Sequence, residues 1–168
     1  MPLIHGGGAV IRNIAFLLDA CQVLGVPVTA TEQYVKGLGP TVPELARRLP
    51  AQRPDKLAFS SCAVPEVVDG FRRAGRPKVL VAGIETHVCV MQSVLDLLAL
   101  GFRPFVAVDS VGSRYVIDHE TAARRMEHAG AVLVTSEMAV FELTGKAGTP
   151  QFKEISKLVQ ERMKAMPS

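Results

Sequence analysis

The amino-acid sequence predicts a three-layer α/β/α domain: a doubly wound, Rossmann-like parallel sheet with helices on both faces. Three observations carry that expectation. Short apolar runs rich in β-branched residues, at 78–84, 103–109 and 131–135, alternate with stretches whose apolar residues recur at helical spacing. The joints between them hold Gly or Pro, which close helices and open turns. Residues 78–98 change from one pattern to the other across Gly83-Ile84-Glu85-Thr86-His87, the tight strand-to-helix elbow that α/β folds use.

Taken in order, Val10, Ile14, Leu17, Leu18 and Cys21 mark a first helix over 9–24, closed by Gly25. Residues 26–31 read as a strand, with Pro27 tolerated at its beginning. The loop 32–40 then leaves the carboxyl edge, where α/β sheets bind ligands. A short helix over 42–48 and a connector, 50–54, lead to a short strand over 55–60. An amphipathic helix over 65–74 ends at Gly75. Beyond the elbow, Val88, Met91, Val94, Leu95 and Leu98 define a helix that Gly101 ends. A strand over 103–109 delivers Asp109 and Ser110 to the functional edge. The helix over 118–129 starts with Asp118, His119 and Glu120, where acidic residues suit the helix dipole. A strand over 131–135 and a helical turn over 138–143 follow. Phe152, Ile155, Leu158, Val159 and Met163 form the stripe of a last helix, part of which is expected to pack against another subunit. Residues 1–168 are expected to form one domain.

Composition narrows the function classes. A hydrophobic fraction of 48% and a charged fraction of 21% are those of a globular protein. The formal charge of +3 is scattered and aromatics make up only 5%, which argues against nucleic-acid binding. The sequence shows no signal-peptide pattern and no apolar run of membrane-spanning length. Three cysteines, Cys21, Cys62 and Cys89, lack metal-type spacing and point to a reduced, cytoplasmic protein.

Four places bear chemistry. If Thr86 caps the helix, Cys89 falls in its first turn, where unpaired N–H groups favour a thiolate and can hold an oxyanion. The alternative is a small buried core cysteine. Lys56, ahead of an apolar stretch, reads first as an exposed edge charge; pointing inward, it would polarise a carbonyl or steady a thiolate. Tyr34 lines a pocket or decorates a surface loop. Asp118-His119 lacks a third metal ligand, and Gly6-Gly7-Gly8 lacks the preceding strand of a phosphate loop.

Four stretches give the chain a resemblance to the isochorismatase-like cysteine hydrolases, and within them to the isochorismatase domain-containing branch. They are Val26-Pro27-Val28 with Thr31-Glu32-Gln33-Tyr34 and the run 37–45; Lys56-x-x-Phe59-Ser60; Gly83-Ile84-Glu85-Thr86-His87-Val88-Cys89; and Pro150-Gln151-Phe152-Lys153-Glu154-Ile155. The resemblance implies a nucleophilic Cys89, a catalytic Lys56, a cis Ile84–Glu85 peptide, and an oxyanion held by the Glu85 and Cys89 N–H groups. It assigns Tyr34, Phe59 and His87 to the substrate side. Zinc-binding members carry Asp-x-His where Glu32-Gln33-Tyr34 stands here, so no metal and no cofactor are expected. Members also open with a central strand bearing a catalytic aspartate in Asp-x-Gln. Met1-Pro2-Leu3-Ile4 already lies past it, and Asp19 falls inside a helix.

The expected function is cysteine-dependent hydrolysis of a small amide or related acyl substrate through a Cys89 thioester, weakened by the missing aspartate. The competing class is a non-enzymatic binding or scaffold protein with the same fold. A small-molecule substrate, no nucleic acid, no membrane and a homo-oligomer are the expected partners. Met1 is expected to be an internal methionine of a longer protein. Without the central strand, 26–31 and 78–84 must close on each other, pair with a borrowed segment, or flank a gap.

Overall fold

The computed structural model describes residues 3–165. Helix α1, Gly7–Leu24, is followed by strand β1, Glu32–Gln33, and two short helices, α2, Val35–Leu38, and α3, Pro43–Ala46. Strand β2, Asp55–Lys56, leads through a single 3-10 turn into α4, Pro65–Arg73. Then come β3, Lys78–Ile84; α5, Met91–Ala99; β4, Arg103–Gly112; α6, Val116–His128; β5, Val132–Val134; α7, Ser136–Thr144; and α8, Pro150–Ala165. All strand pairings are parallel, as βαβ connections require.

Strand β4 is the wall on which both helical layers are built. Its side chains alternate between faces, as the pleat dictates. Ala107 meets Phe16, Leu17 and Ala20 of α1, Val140 of α7 and Ile155 of α8. Val106 and Val111 meet Val90, Val94 of α5 and Met126 of α6. Val94, Val106, Met126 and Ile155 are each 0% exposed, and burying one such side chain contributes about 1.5–3 kcal/mol. These two clusters make the three-layer α/β/α arrangement.

Several expected elements change. The strand over 26–31 does not form: its segment makes no ladder, and the first strand pairs only Glu32–Gln33 with Asp55–Lys56. The sheet is therefore split into β1-β2 and β3-β4-β5. Of the three outcomes open to these two stretches, the structure takes the gap. A strand needs a partner at hydrogen-bonding distance on at least one edge, and among the described residues 26–31 has none. The 55–60 strand shortens to two residues for the same reason. The sequence predicts no apolar run of membrane-spanning length, yet α1 is long and apolar enough by composition to cross one. Here its apolar face is in the core, with Val10, Ala15, Phe16, Leu17, Ala20 and Cys21 buried.

The α8 stripe also divides. Ile155, Leu158 and Val159 pack on the chain's own α1–α7 cluster, while Met163 is 67% exposed. Arg162 fastens this helix: it donates to Asn13 Oδ1, to Asp109 Oδ2 at 3.0 Å and to Glu137 Oε2 at 3.0 Å, and it stacks over Phe16. Its side chain is only 15% exposed, so this is a desolvated network rather than a surface pair. Replacing Arg162 with Met leaves Asp109 short of its cation and is expected to cost about 2 kcal/mol, read as a lower urea midpoint at unchanged slope. Arg162→Lys should recover less than half of that, because a compact ammonium cannot span Asn13, Asp109 and Glu137 on three separate elements as the guanidinium fork does.

Candidate functional site

The site forms where the two small sheets meet at their carboxyl ends. The β1–β2 register sets Gln33 opposite Lys56. Lys56, expected from the sequence to sit at an exposed edge, is only 7% exposed. Its ammonium donates to Gln33 Oε1 at 2.5 Å, to the Ala58 carbonyl at 3.1 Å and to the Phe59 carbonyl at 2.7 Å. The chain doubles back after β2 and presents those two carbonyls, which makes the burial of a charge tolerable. Among the described residues no carboxylate lies within ion-pairing distance of it.

Cys89 comes from the other side. The elbow after β3 is a wide turn, Thr86–Val90, of π type, which runs into α5. Thr86 does not cap the helix as the sequence predicts. It is the turn's first residue, fully buried, and its hydroxyl pairs with His119 Nδ1 at 3.0 Å. Glu85 takes the cap position, and its carbonyl accepts from Val88 at 3.1 Å and from Val90 at 3.2 Å. The Ile84–Glu85 peptide is cis. Cys89 lies inside the turn, half-buried, with its Sγ donating to Gln33 Oε1 at 3.7 Å. Ser93 Oγ holds the Cys89 carbonyl at 2.7 Å and accepts from Ser61 N–H at 2.8 Å, tying the elbow to the segment that follows Lys56.

Electrostatics couples the two groups. Burial pulls the Lys56 ammonium below the ordinary lysine range, and the neighbouring Cys89 sulfur acts in the opposite sense. An ammonium beside a thiol stabilises the thiolate, and a thiolate is the nucleophilic form. Cys21 and Cys62 lack such a neighbour, and burial pushes both thiols up.

The other residues singled out in the sequence take different places. Tyr34 is 46% exposed and Phe59 50% exposed, so both rings stand at the rim. Each nevertheless joins the site through its backbone, the Tyr34 N–H donating to the Lys56 carbonyl at 3.0 Å. Tyr34 has a positive φ of 43°, and its ring lies where a Cβ on Gly37 would collide with it, which is why glycine stands there. His87 turns to Ser113 Oγ at 2.9 Å, with Asp118 3.8 Å from its other ring nitrogen. His119 is held below the usual imidazole range by burial. Glu85 engages Arg114 through its side chain at 3.1 Å. Glu32 accepts from Thr41 N–H and from Arg53 and sits below the usual carboxylate range because of those bonds. Gln33 is the residue that sequence reasoning missed. Its place opposite Lys56 comes from the β1–β2 register, which a single sequence does not display.

The isochorismatase domain family model matches residues 2–138. The chain belongs to the isochorismatase family. Isochorismatase domain-containing protein 2 of Bos taurus is 43% identical over 153 residues, covering 90% of this chain and 74% of that protein. The secreted isochorismatase effector Isc1 of Phytophthora sojae is 40% identical over 161 residues, covering 92% and 76%. Among solved structures, MAR1 ribonuclease from Caenorhabditis elegans superposes with a TM-score of 0.88 at 40% identity, covering 98% of this chain and 84% of that one. The α/β/α layering of this isochorismatase domain is thus shared with its relatives.

The Lys56–Cys89 neighbourhood predicts selective alkylation. Iodoacetamide at neutral pH should modify Cys89 before Cys21 and Cys62, as read by peptide mass mapping. Lys56→Met removes the cation beside the thiol and should slow that modification several-fold.

Proposed function

We propose that this isochorismatase-family chain is a cysteine hydrolase of small amides or related acyl compounds. The observation that carries the reading is the cluster of Lys56, Gln33 and Cys89, a buried ammonium and a thiol sharing one amide oxygen at the sheet's carboxyl edge. In this reading the Cys89 thiolate attacks the substrate carbonyl carbon. The Glu85 and Cys89 N–H groups hold the oxyanion, and Lys56 gives a proton to the leaving amine. Burial lowers the Lys56 pKa, which makes its ammonium a readier proton donor than an exposed lysine. Water then attacks the thioester and passes its proton to the neutral Lys56. The acid product leaves, and thiolate and ammonium are restored.

Turnover is expected to be slow, because among the described residues no carboxylate stands by the pair as a general base. The isochorismatase reaction proper, hydrolysis of a vinyl ether, fits less well, since it has no use for a thiol in this position. A binding or scaffold role is the competing reading. The same proposal places the protein in a reducing compartment, in keeping with three free cysteines. It also includes a homo-oligomer, for which the consecutive exposed residues Tyr115, Val116 and Ile117 are a candidate contact.

The C. elegans relative is described as a ribonuclease, and that activity is the second reading. A scattered charge of +3 and one buried lysine at the site support it less than acyl chemistry.

The test is a panel of small primary amides, assayed for ammonia release, beside a single-stranded RNA oligonucleotide. Amide turnover should appear, vanish in Cys89→Ala and fall about 10²-fold in Lys56→Met, with the RNA intact. RNA cleavage with no amide turnover would move the assignment to the second reading.

A further inference from the structure

The sulfur that the proposed hydrolysis uses sits in an unusual stretch of backbone. Thr86–Val90 is wound as a π-type turn, in which the Glu85 carbonyl accepts from Val88 at 3.1 Å and from Val90 at 3.2 Å. Such wide turns are rare and occur as single turns set into an α-helix. The turn's own bonds are few, and neighbouring segments supply the rest.

Three consecutive residues of the elbow are each held from the start of α6 or the loop before it. The Glu85 carboxylate accepts from the Arg114 N–H and from its Nε, both at 3.1 Å. The Thr86 hydroxyl pairs with His119 Nδ1 at 3.0 Å. His87 Nδ1 pairs with Ser113 Oγ at 2.9 Å. On the far side, Ser93 Oγ of α5 donates to the Cys89 carbonyl at 2.7 Å. Cys89 is slung between α5 and the 113–119 segment.

The three links are unequal. The Arg114 side chain is 50% exposed, and an ion pair open to solvent constrains little. His87 is only partly covered and has a second neighbour, Asp118, at 3.8 Å. Thr86 is fully buried, and among the described residues its hydroxyl has one partner, His119. A buried hydroxyl stripped of its partner is penalised far more than an exposed one, so this bond constrains the elbow most. His119 is itself well placed to hold it. Its N–H donates to the Tyr115 carbonyl at 3.2 Å, which sets the ring on a helical backbone. Burial keeps the imidazole below its usual range, so at neutral pH the uncharged ring pairs with the hydroxyl in either tautomer.

Thr86 and Cys89 lie in one wound turn, so a shift of the first displaces the second. Gln33 and Lys56 stand on a separate pair of strands and would not follow. The sulfur is 3.7 Å from Gln33 Oε1, a weak contact that a small displacement breaks. We propose that His119 is a positioning residue for Cys89: through Thr86 it fixes the elbow so that the sulfur stays beside Gln33 and the Lys56 ammonium. The role deepens the hydrolase reading, on which it rests for Cys89 being the reactive thiol. It needs no contact with substrate.

The experiment measures iodoacetamide alkylation of Cys89 against pH in the full 168-residue chain, by peptide mass mapping, with Cys62 as the internal reference. His119→Leu should slow Cys89 several-fold at neutral pH. It should also move the midpoint of the profile up, because a thiol farther from a cation holds its proton more tightly, and leave the Cys62 rate as it was. His119→Asn, whose amide can still bond the Thr86 hydroxyl, should recover most of the rate. Thr86→Val keeps the shape without the hydroxyl and should reproduce His119→Leu, with no further slowing when the two are combined. It carries the same test if His119→Leu fails to fold. A Cys89 rate and midpoint unchanged in both single variants overturn the proposal. An Asn variant no better than the Leu variant, or a Cys62 rate that rises in step, overturns it in favour of a purely structural bond. Native Cys89 reacting no faster than Cys62 overturns the hydrolase reading and the positioning role with it.

Discussion

A buried ammonium is costly unless its surroundings are arranged for it, and the carboxyl edge of this fold is arranged around Lys56. The two-residue pairing of β1 with β2 would be too short to stabilise anything alone. Its effect is to fix Gln33 opposite Lys56, while the turn after β2 supplies two carbonyls. The elbow after β3 then brings a thiol to the same amide oxygen. Each partner is held by a different element, so the arrangement is rigid only when the core that positions those elements is intact. Strand β4 provides that core, with one helical layer on each face.

The acid–base balance at the site is lopsided. Lys56 is deprived of solvent and has neutral acceptors, and only the Cys89 sulfur opposes the loss of its proton. In the proposed hydrolysis Cys89 is the nucleophile and Lys56 the acid, and among the described residues no carboxylate pairs with that lysine.

Much of this was legible in the sequence. The change of apolar period at 83–87 located the elbow and Cys89, because a buried strand and an amphipathic helix leave different patterns. The parallel sheet and the helices on both faces followed from the same alternation. Lys56 was harder: whether a lysine is exposed depends on what the following residues do with their carbonyls, and Ala58 and Phe59 carry no local signal of that. Residues 26–31 have the composition of a strand but lack a neighbour, and a ladder is a property of two segments. Thr86 is a good cap by type, yet His119, distant in sequence, competes for its hydroxyl. Gln33 gains its place from register, which a single sequence does not display.

In the proposed hydrolysis Cys89 is the group that takes the acyl moiety. The most direct measurement is to quench the protein in acid during reaction with p-nitrophenyl acetate and map the acetyl group by peptide mass spectrometry. The acetyl is expected on Cys89, cleavable by neutral hydroxylamine as a thioester is, and absent from Cys21 and Cys62. An acetyl group found on another cysteine or only on lysines, with Cys89 free, would contradict the account.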